Sequence, residues 1–378
     1  MNIEIDHDSK IPKHTQLFDQ IGNMIKTNRW SEGFKLPSEN QFQSELGVSR
    51  STVRQALQAA MNEGLIEKIM GKGSFVCGRN EKDSNLLGII TSAFESPYHQ
   101  QILLGTEEEA RKRGFNIMFG NSHHDILEEQ VLLEQFKDHG VKGILLWPAI
   151  QDIYDSKFLL KIRESGIPIV LLDRMISGGD FDSVMSDNFS GSYDATKFLI
   201  ENASRDIYFV SRSILSITSI SERFRGYQQA MRDYGYRPYD PVLVGEENRE
   251  LSLNEFPLTE GSDEYCGIVD FLQSNPRKKA VIAMNDVMAL NIMEVARSEG
   301  ISIPGELSVF GFDNREIGAS YCVPLTTVAQ DAYQIGAEAT RLLINRIFNS
   351  TSECVTVKVP VELIIRDSVH QNSVSKNR

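Results

Sequence analysis

From residue 86 onward, short apolar runs alternate with amphipathic segments, and that texture admits few folds other than a layered α/β body. The runs at 86–91, 115–119, 143–147, 167–172, 206–210, 280–284 and 307–312 are continuous rather than alternating. A strand covered by helices on both sides has no solvent face, so it loses the polar half of its pattern. Helical spacing fills the gaps at 127–139, 158–165, 222–234, 287–299 and 332–348. The order strand, helix, strand predicts a doubly wound parallel sheet. About 280 residues exceed one such unit, so two lobes are expected. The first takes about 86–187 and 326–350, the second about 188–325 and 351–368, and 369–378 form a polar tail without a heptad pattern.

In folds of this class ligands bind beyond the carboxyl ends of the strands, and here those ends are polar. Leu172-Asp173-Arg174, Ser186-Asp187-Asn188, Met284-Asn285-Asp286 and Phe312-Asp313-Asn314 each close a run or follow one. Arg223 stands near the start of a helical segment and Tyr98 just after the first run. Carboxylates and carboxamides share paired hydrogen bonds with hydroxyl pairs, guanidinium donates as a planar fork, and an aromatic ring covers an apolar ligand face. Arg174 has a plain structural reading as a salt bridge between lobes, and Asp286 has one as a helix cap.

Residues 1–78 have a different texture. A helix is expected over 13–28, with Leu17, Ile21, Met24 and Ile25 on one face and Trp30 and Phe34 completing a small core. The segment Leu36-Pro37-Ser38-Glu39 opens a second helix. Gly47 supplies the left-handed turn after it, and Ser49 caps a third. On that third helix Val53, Ala56, Leu57 and Ala60 share one face, while Arg50, Ser51, Arg54 and Gln58 share the other. Gly71-Lys72-Gly73-Ser74-Phe75-Val76 then reads as a β-ribbon. Its glycines lack the spacing and the following helix that a phosphate loop needs. A polar, charged linker is expected at 79–85.

Two resemblances follow from these motifs. L-P-S-E at 36–39, G-V-S-R-x-T-V-R at 47–54 and G-x-G-S-F-V at 71–76 closely resemble the winged helix-turn-helix of GntR-type transcription regulators. That resemblance implies DNA contacts by Arg50, Ser51, Thr52 and Arg54 from the second helix of the motif. Glu39 would start the preceding helix, and Lys72 and Gly73 would form the wing tip. The ordered strand-end motifs from 171 to 328 closely resemble the effector domain of LacI-type regulators and periplasmic sugar-binding proteins. By position this second resemblance implies effector contacts at Asp173, Arg223, Asn285 and Asp313, with Tyr98 as a stacking residue and Gln330 as an addition near the crossing between lobes. The combined architecture resembles the arabinose-responsive repressors of bacteria.

Charge and composition are compatible with this. The chain carries 39 basic and 52 acidic residues; residues 1–78 hold nine of each, leaving 30 and 43 for the remainder. A neutral head on an acidic body suits two clustered DNA contacts better than strong non-specific binding. No apolar run is long enough to span a bilayer, and the amino terminus lacks the basic-then-apolar profile of a secretory signal. Four scattered cysteines suit a reducing cytoplasm. His123-His124-Asp125 reads as a solvated loop rather than a metal site, and neither metal nor cofactor is expected. No nucleophile elbow or other catalytic constellation is present, so the chain is not expected to be an enzyme. The function expected is a homodimeric transcription regulator whose binding to double-stranded operator DNA is controlled by a small sugar. A phosphorylated sugar or a nucleobase acting as co-repressor is the alternative effector. A transport-type sugar-binding protein and a sugar-active enzyme are the alternatives of other classes.

Overall fold

In the computed structural model the chain divides into two compact units, Met1–Ser84 and Asn85–Arg378. The described residues are 3–6, 9, 11–27, 29–77, 85–94, 96–149, 156–176, 180–203, 206–212, 217–245, 256–274, 279–349 and 353–371. The expected linker therefore lies outside them up to residue 84, as does the end of the tail.

The first unit has α1 (Lys13–Lys26), α2 (Glu39–Leu46), α3 (Arg50–Asn62) and a ribbon of β1 (Ile66–Ile69) and β2 (Gly73–Val76). Local chemistry fixes each boundary. Ser38 caps α2 and exchanges hydrogen bonds with Gln41 in a capping box, while Gly47 ends that helix at φ 62°. The Ser49 hydroxyl accepts from the Thr52 amide at the start of α3. Val53, Ala56, Leu57 and Ala60 are buried against Leu17, Ile21 and Phe42. Trp30 joins this core, whereas Phe34, expected inside, is 38% exposed and stacks on Trp30.

The second unit is two lobes built to one plan. The first lobe runs β3 (Leu86–Thr91), α4 (Pro97–Lys112), β4 (Asn116–Asn121), α5 (Ile126–Asp138), β5 (Gly143–Leu146), α6 (Lys157–Glu164), β6 (Ile169–Leu172) and β7 (Asp182–Ser186). The second runs α7 (Asn188–Asn202), β8 (Ile207–Ser211), α8 (Thr218–Asp233), β9 (Val242–Leu243), α9 (Asp263–Gln273), β10 (Lys279–Ala283), α10 (Asp286–Ser298), β11 (Leu307–Phe312), α11 (Glu316–Ala319) and β12 (Thr326–Gln330). The chain closes with α12 (Ala332–Phe348), β13 (Thr356–Val359) and β14 (Val361–Ile364). The sheets have the orders β13-β7-β6-β5-β3-β4 and β14-β12-β11-β10-β8-β9.

This pairing corrects the expected lobe boundaries. Residues 326–330 pair with β11 and β14, so they belong to the second lobe. Residues 356–359 pair in parallel with β7, so they belong to the first. The backbone thus crosses between lobes at Asp187, Asp331 and Pro360. The tail also starts later than expected: Val369 is buried, and the His370 amide donates to Ser308 Oγ at 3.2 Å.

Each lobe seats a helix pair at glycine contacts. A Cβ on Gly336 of α12 would lie 2.0 Å from the Ile102 carbonyl oxygen of α4, and one on Gly105 would lie 2.0 Å from that of Tyr333. In the second lobe a Cβ on Gly226 of α8 would lie 2.3 Å from the Phe189 carbonyl oxygen of α7. Backbone cannot yield as a side-chain end can. Gly336→Ala is therefore expected to destabilise the second unit by about 1–3 kcal/mol despite alanine's better helix propensity. Thermal unfolding of the full-length variant measures this, and an unchanged Tm would count against backbone-limited packing here.

Candidate functional site

The cleft between the two lobes holds a cavity of about 130 Å³. Tyr98, Asp173, Arg223, Asn285, Asp313 and Gln330 all line it, although they come from six separate places in the chain. Two sheets aim their carboxyl ends at one gap, where Asp173, Asn285, Asp313 and Gln330 stand at strand ends and Tyr98 and Arg223 come from α4 and α8.

The two carboxylates occupy matching places. Asp173 follows β6 and Asp313 follows β11. Each donates its backbone N–H to the strand beyond, to Val184 and Val328 respectively. Both have left-handed backbones, with φ of 65° and 125°, a conformation that a non-glycine residue holds at a cost of about 1–3 kcal/mol. A chain of contacts joins them across the cleft. The Tyr98 hydroxyl lies within donating distance of Asp173 Oδ1 (2.8 Å) and Gln330 Oε1 (3.2 Å). Gln330 Nε2 donates to Asp313 Oδ1 at 2.7 Å. Tyr98 therefore engages through its hydroxyl, while its ring meets Trp147 edge-on at 5.6 Å.

Arg223 is fixed on three sides. Its Nε donates to Asn188 Oδ1 (2.8 Å) and its Nη1 to the Met284 carbonyl (2.6 Å), and its guanidinium lies 3.6 Å over the Phe312 ring. Nη1 is 3.8 Å from Asp313 Oδ1. Asn285, not Asp286, caps α10: its side chain accepts from the Met288 amide at 2.9 Å. Asp286 is wholly buried beneath the site, where it accepts from the Arg315 amide and Thr327 Oγ1. Burial pushes Asp313 up to about 7, with Arg223 pulling against it and the Asp286 charge adding to the rise.

The cavity also gathers residues that were not singled out as ligand contacts. Trp147 follows β5, and His99 tilts against it at 4.2 Å between ring centroids. Arg174 stays within the first lobe rather than bridging to the second. Its guanidinium lies 5.6 Å from the Trp147 ring, and its Nη2 is 3.8 Å from Asp173 Oδ2. Arg174 Nε and Nη1, Trp147 Nε1 and Ser92 Oγ are buried without a hydrogen-bond partner among the described residues. These are the atoms a bound polar ligand would engage. Burial lowers the Arg174 pKa, with Asp173 opposing. His124 lines the cavity as well, from a turn with φ 62°. Trp147 was findable, because it closes an apolar run just as Asp173 does.

In the first unit the exposed face of α3 presents Arg50, Ser51 and Arg54. Arg50 Nε donates to Glu39 Oε2 at 3.1 Å, and Lys68 Nζ lies 3.9 Å from Glu39 Oε1. Glu39 thus holds two cations rather than standing clear. Thr52 is half-buried, and its hydroxyl, like that of Ser51, meets Ser49 Oγ. Lys72 and Gly73 lie at the ribbon's turn, beside a groove that Glu39, Lys35 and Lys68 also line.

Comparison with known proteins places these two sites in context. Residues 13–76 match the family described as bacterial regulatory proteins of the gntR family, and residues 196–369 match the periplasmic binding protein-like domain. The chain is 26% identical over 371 residues to the arabinose metabolism transcriptional repressor of Geobacillus stearothermophilus, covering 96% of this chain and 98% of that protein. It is 30% identical over 288 residues to the HTH-type transcriptional repressor PurR of Mannheimia succiniciproducens, covering 75% and 80%. The fold resembles that of the transcription regulator CcpA of Lactococcus lactis, with TM-score 0.63 and 24% identity over 75% of this chain and 98% of that one. No helix among the described residues is long and apolar enough to cross a membrane.

Proposed function

Since the chain belongs to the bacterial HTH-type transcriptional repressors, with a GntR-type head on a periplasmic-binding-protein-like effector domain, we propose that it represses transcription from an operator until a neutral monosaccharide enters the cleft. The observation that carries the choice of ligand is the pairing of charge around the cavity. Arg174 stands 3.8 Å from Asp173, and Arg223 stands 3.8 Å from Asp313. Each guanidinium already has a carboxylate, so a phosphoryl group would meet as much repulsion as attraction. A ring bearing hydroxyls meets acceptors on Asp173 and Asp313 and donors on Arg174, Trp147 and Ser92. The volume of about 130 Å³ is far below the roughly 300–1,000 Å³ of sites that take larger ligands, and suits one sugar ring.

In this reading Arg50 and Arg54 read bases, and Ser51, Lys72 and Gly73 contact the backbone. Glu39 acts as a positioning residue that aims Arg50, and Thr52 acts through the Ser49 cap. Two copies of the chain bind one pseudo-palindromic site through paired heads. Effector binding shifts the lobes and thereby the spacing of the heads. A coupling of about 1–3 kcal/mol alters operator affinity roughly 5–150-fold.

The Trp147–His99 wall favours a second reading, a planar nucleobase stacked in the cleft. Thermal-shift screening of the full-length protein against free pentoses, hexoses, their phosphates and nucleobases separates the two. A ligand at about 100 times its Kd adds roughly 2.7 kcal/mol of stability. Stabilisation by one free sugar, arabinose included, supports the first reading. Stabilisation by nucleobases alone replaces it with the second, and stabilisation by phosphates alone refutes the charge-pairing argument.

A further inference from the structure

The ribbon of the first unit ends in a side chain that nothing in the fold uses. Met70, at the turn between β1 and β2, is 97% exposed, and Ile69 beside it is 36% exposed. The hairpin itself is well made. Ile69 faces Gly73 in register, the Lys72 amide donates to the Ile69 carbonyl at 3.0 Å, and Gly71 and Gly73 have φ of 76° and 117°. The apex is therefore held in shape and projects an unbranched apolar side chain from a fixed position.

Lys68 and Lys72 flank it, and both are exposed. An apolar tip between two cations does not match a hydrophobic protein groove, which would strand both charges. It matches a nucleic-acid groove, where lysines meet the phosphates along the rims and the tip reaches the bases. Methionine is among the side chains that wedge between base pairs from the minor groove, unstacking one step and bending the duplex. Its unbranched chain projects from a fixed apex, and leucine, which also wedges between base pairs, is the nearest replacement in size.

We propose that Met70 is a wedge that enters the minor groove of the operator and kinks it at one base step. The inference rests on the operator-binding reading above and adds to it a residue and a mode of recognition. Steps of the type TA and CA unstack most easily. The wedge would thus impose a sequence preference at a position where no hydrogen bond reads the base. It would act beside Arg50 and Arg54, which read base edges from the other groove.

The test uses the full-length protein and duplexes selected by it from a random-sequence pool. Binding is measured across a salt series, and bending by circular-permutation electrophoresis. Wild-type protein is expected to bend its selected duplex at a TA or CA step. Met70→Ala should weaken binding by about tenfold or more and straighten the duplex, with the salt slope unchanged. Met70→Leu should retain most of the bend. Lys72→Ala should keep the bend and reduce the salt slope by about one for each copy bound. Because Met70 is almost wholly exposed, its replacement leaves the head folded. A Met70→Ala protein that matches wild type in affinity and bend overturns the wedge while leaving operator binding intact. A wild-type protein that enriches no duplex overturns operator binding and the wedge with it.

Discussion

Arg54→Ala is expected to reduce operator binding to near the level of unrelated DNA while effector binding stays at its wild-type strength. The apolar face of α3 is buried in the core of the first unit, so the opposite face, with Arg54 on it, is the one left for DNA. An arginine forked onto guanine is worth about 1–3 kcal/mol of discrimination at each copy, and the proposed dimer loses it twice. Arg54→Lys should recover little, because an ammonium is a point charge without the planar fork. Electrophoretic mobility shift with competitor DNA, alongside a thermal-shift titration with effector, measures both halves. Full operator affinity in Arg54→Ala would remove α3 from base readout.

Asp313→Asn is expected to lose the effector response while leaving operator binding in place. The carboxamide keeps the shape and tolerates the backbone, so the change isolates the charge and its acceptors. Wild-type protein should also show a distinctive pH profile. Asp313 is pushed up to about 7 by burial, and it faces Arg223, Gln330, Arg315, Asp286 and Asp173. A ligand hydroxyl donates to the ionised form. Below pH 7 the carboxyl must release a proton before it accepts, so effector affinity should fall by up to about tenfold per pH unit as pH drops. Above pH 7 the affinity should level off. Asp313→Asn should be flat over the same interval. Isothermal titration at several pH values in buffers of differing ionisation enthalpy tests this, and a flat wild-type profile would remove Asp313 from direct contact with donor hydroxyls.

Much of the architecture was legible because local rules and tertiary structure agree. Gly47, Ser38 and Ser49 each do what their chemistry favours at a helix end. The apolar runs 86–91 and 307–312 are strands buried on both faces, as their six-residue length and alternation with helical segments favour. What escaped was non-local. β7 contains Asp182 and two serines in five residues, a poor strand by composition. Its aspartate is neutralised by a bidentate contact from Arg346, 164 residues away. The lobe assignment of β12 and β13 likewise depends on partners distant in sequence. At the candidate site, polar strand ends pointed to Asp173, Asn285 and Asp313. The structural alternative for Arg174 could not be separated from a ligand role by sequence, since Trp147, which lines the same wall, lies 27 positions earlier in the chain.

The left-handed backbone at Asp173 and Asp313 bears on how a site of this kind diverges. Beside glycine, asparagine, aspartate and histidine adopt positive φ most readily, as His124 does at φ 62°. Each position is thus restricted to a short menu of residues. Substitution there changes recognition of a hydroxyl pair in large steps rather than reshaping the cavity gradually. Positions lining the same cleft on ordinary backbone, such as Trp147, His99 and Ser219, carry no such restriction. Drift in effector preference among descendants of this chain would therefore accumulate at those walls, while the two aspartates persist as the fixed points around which new ligands are accommodated.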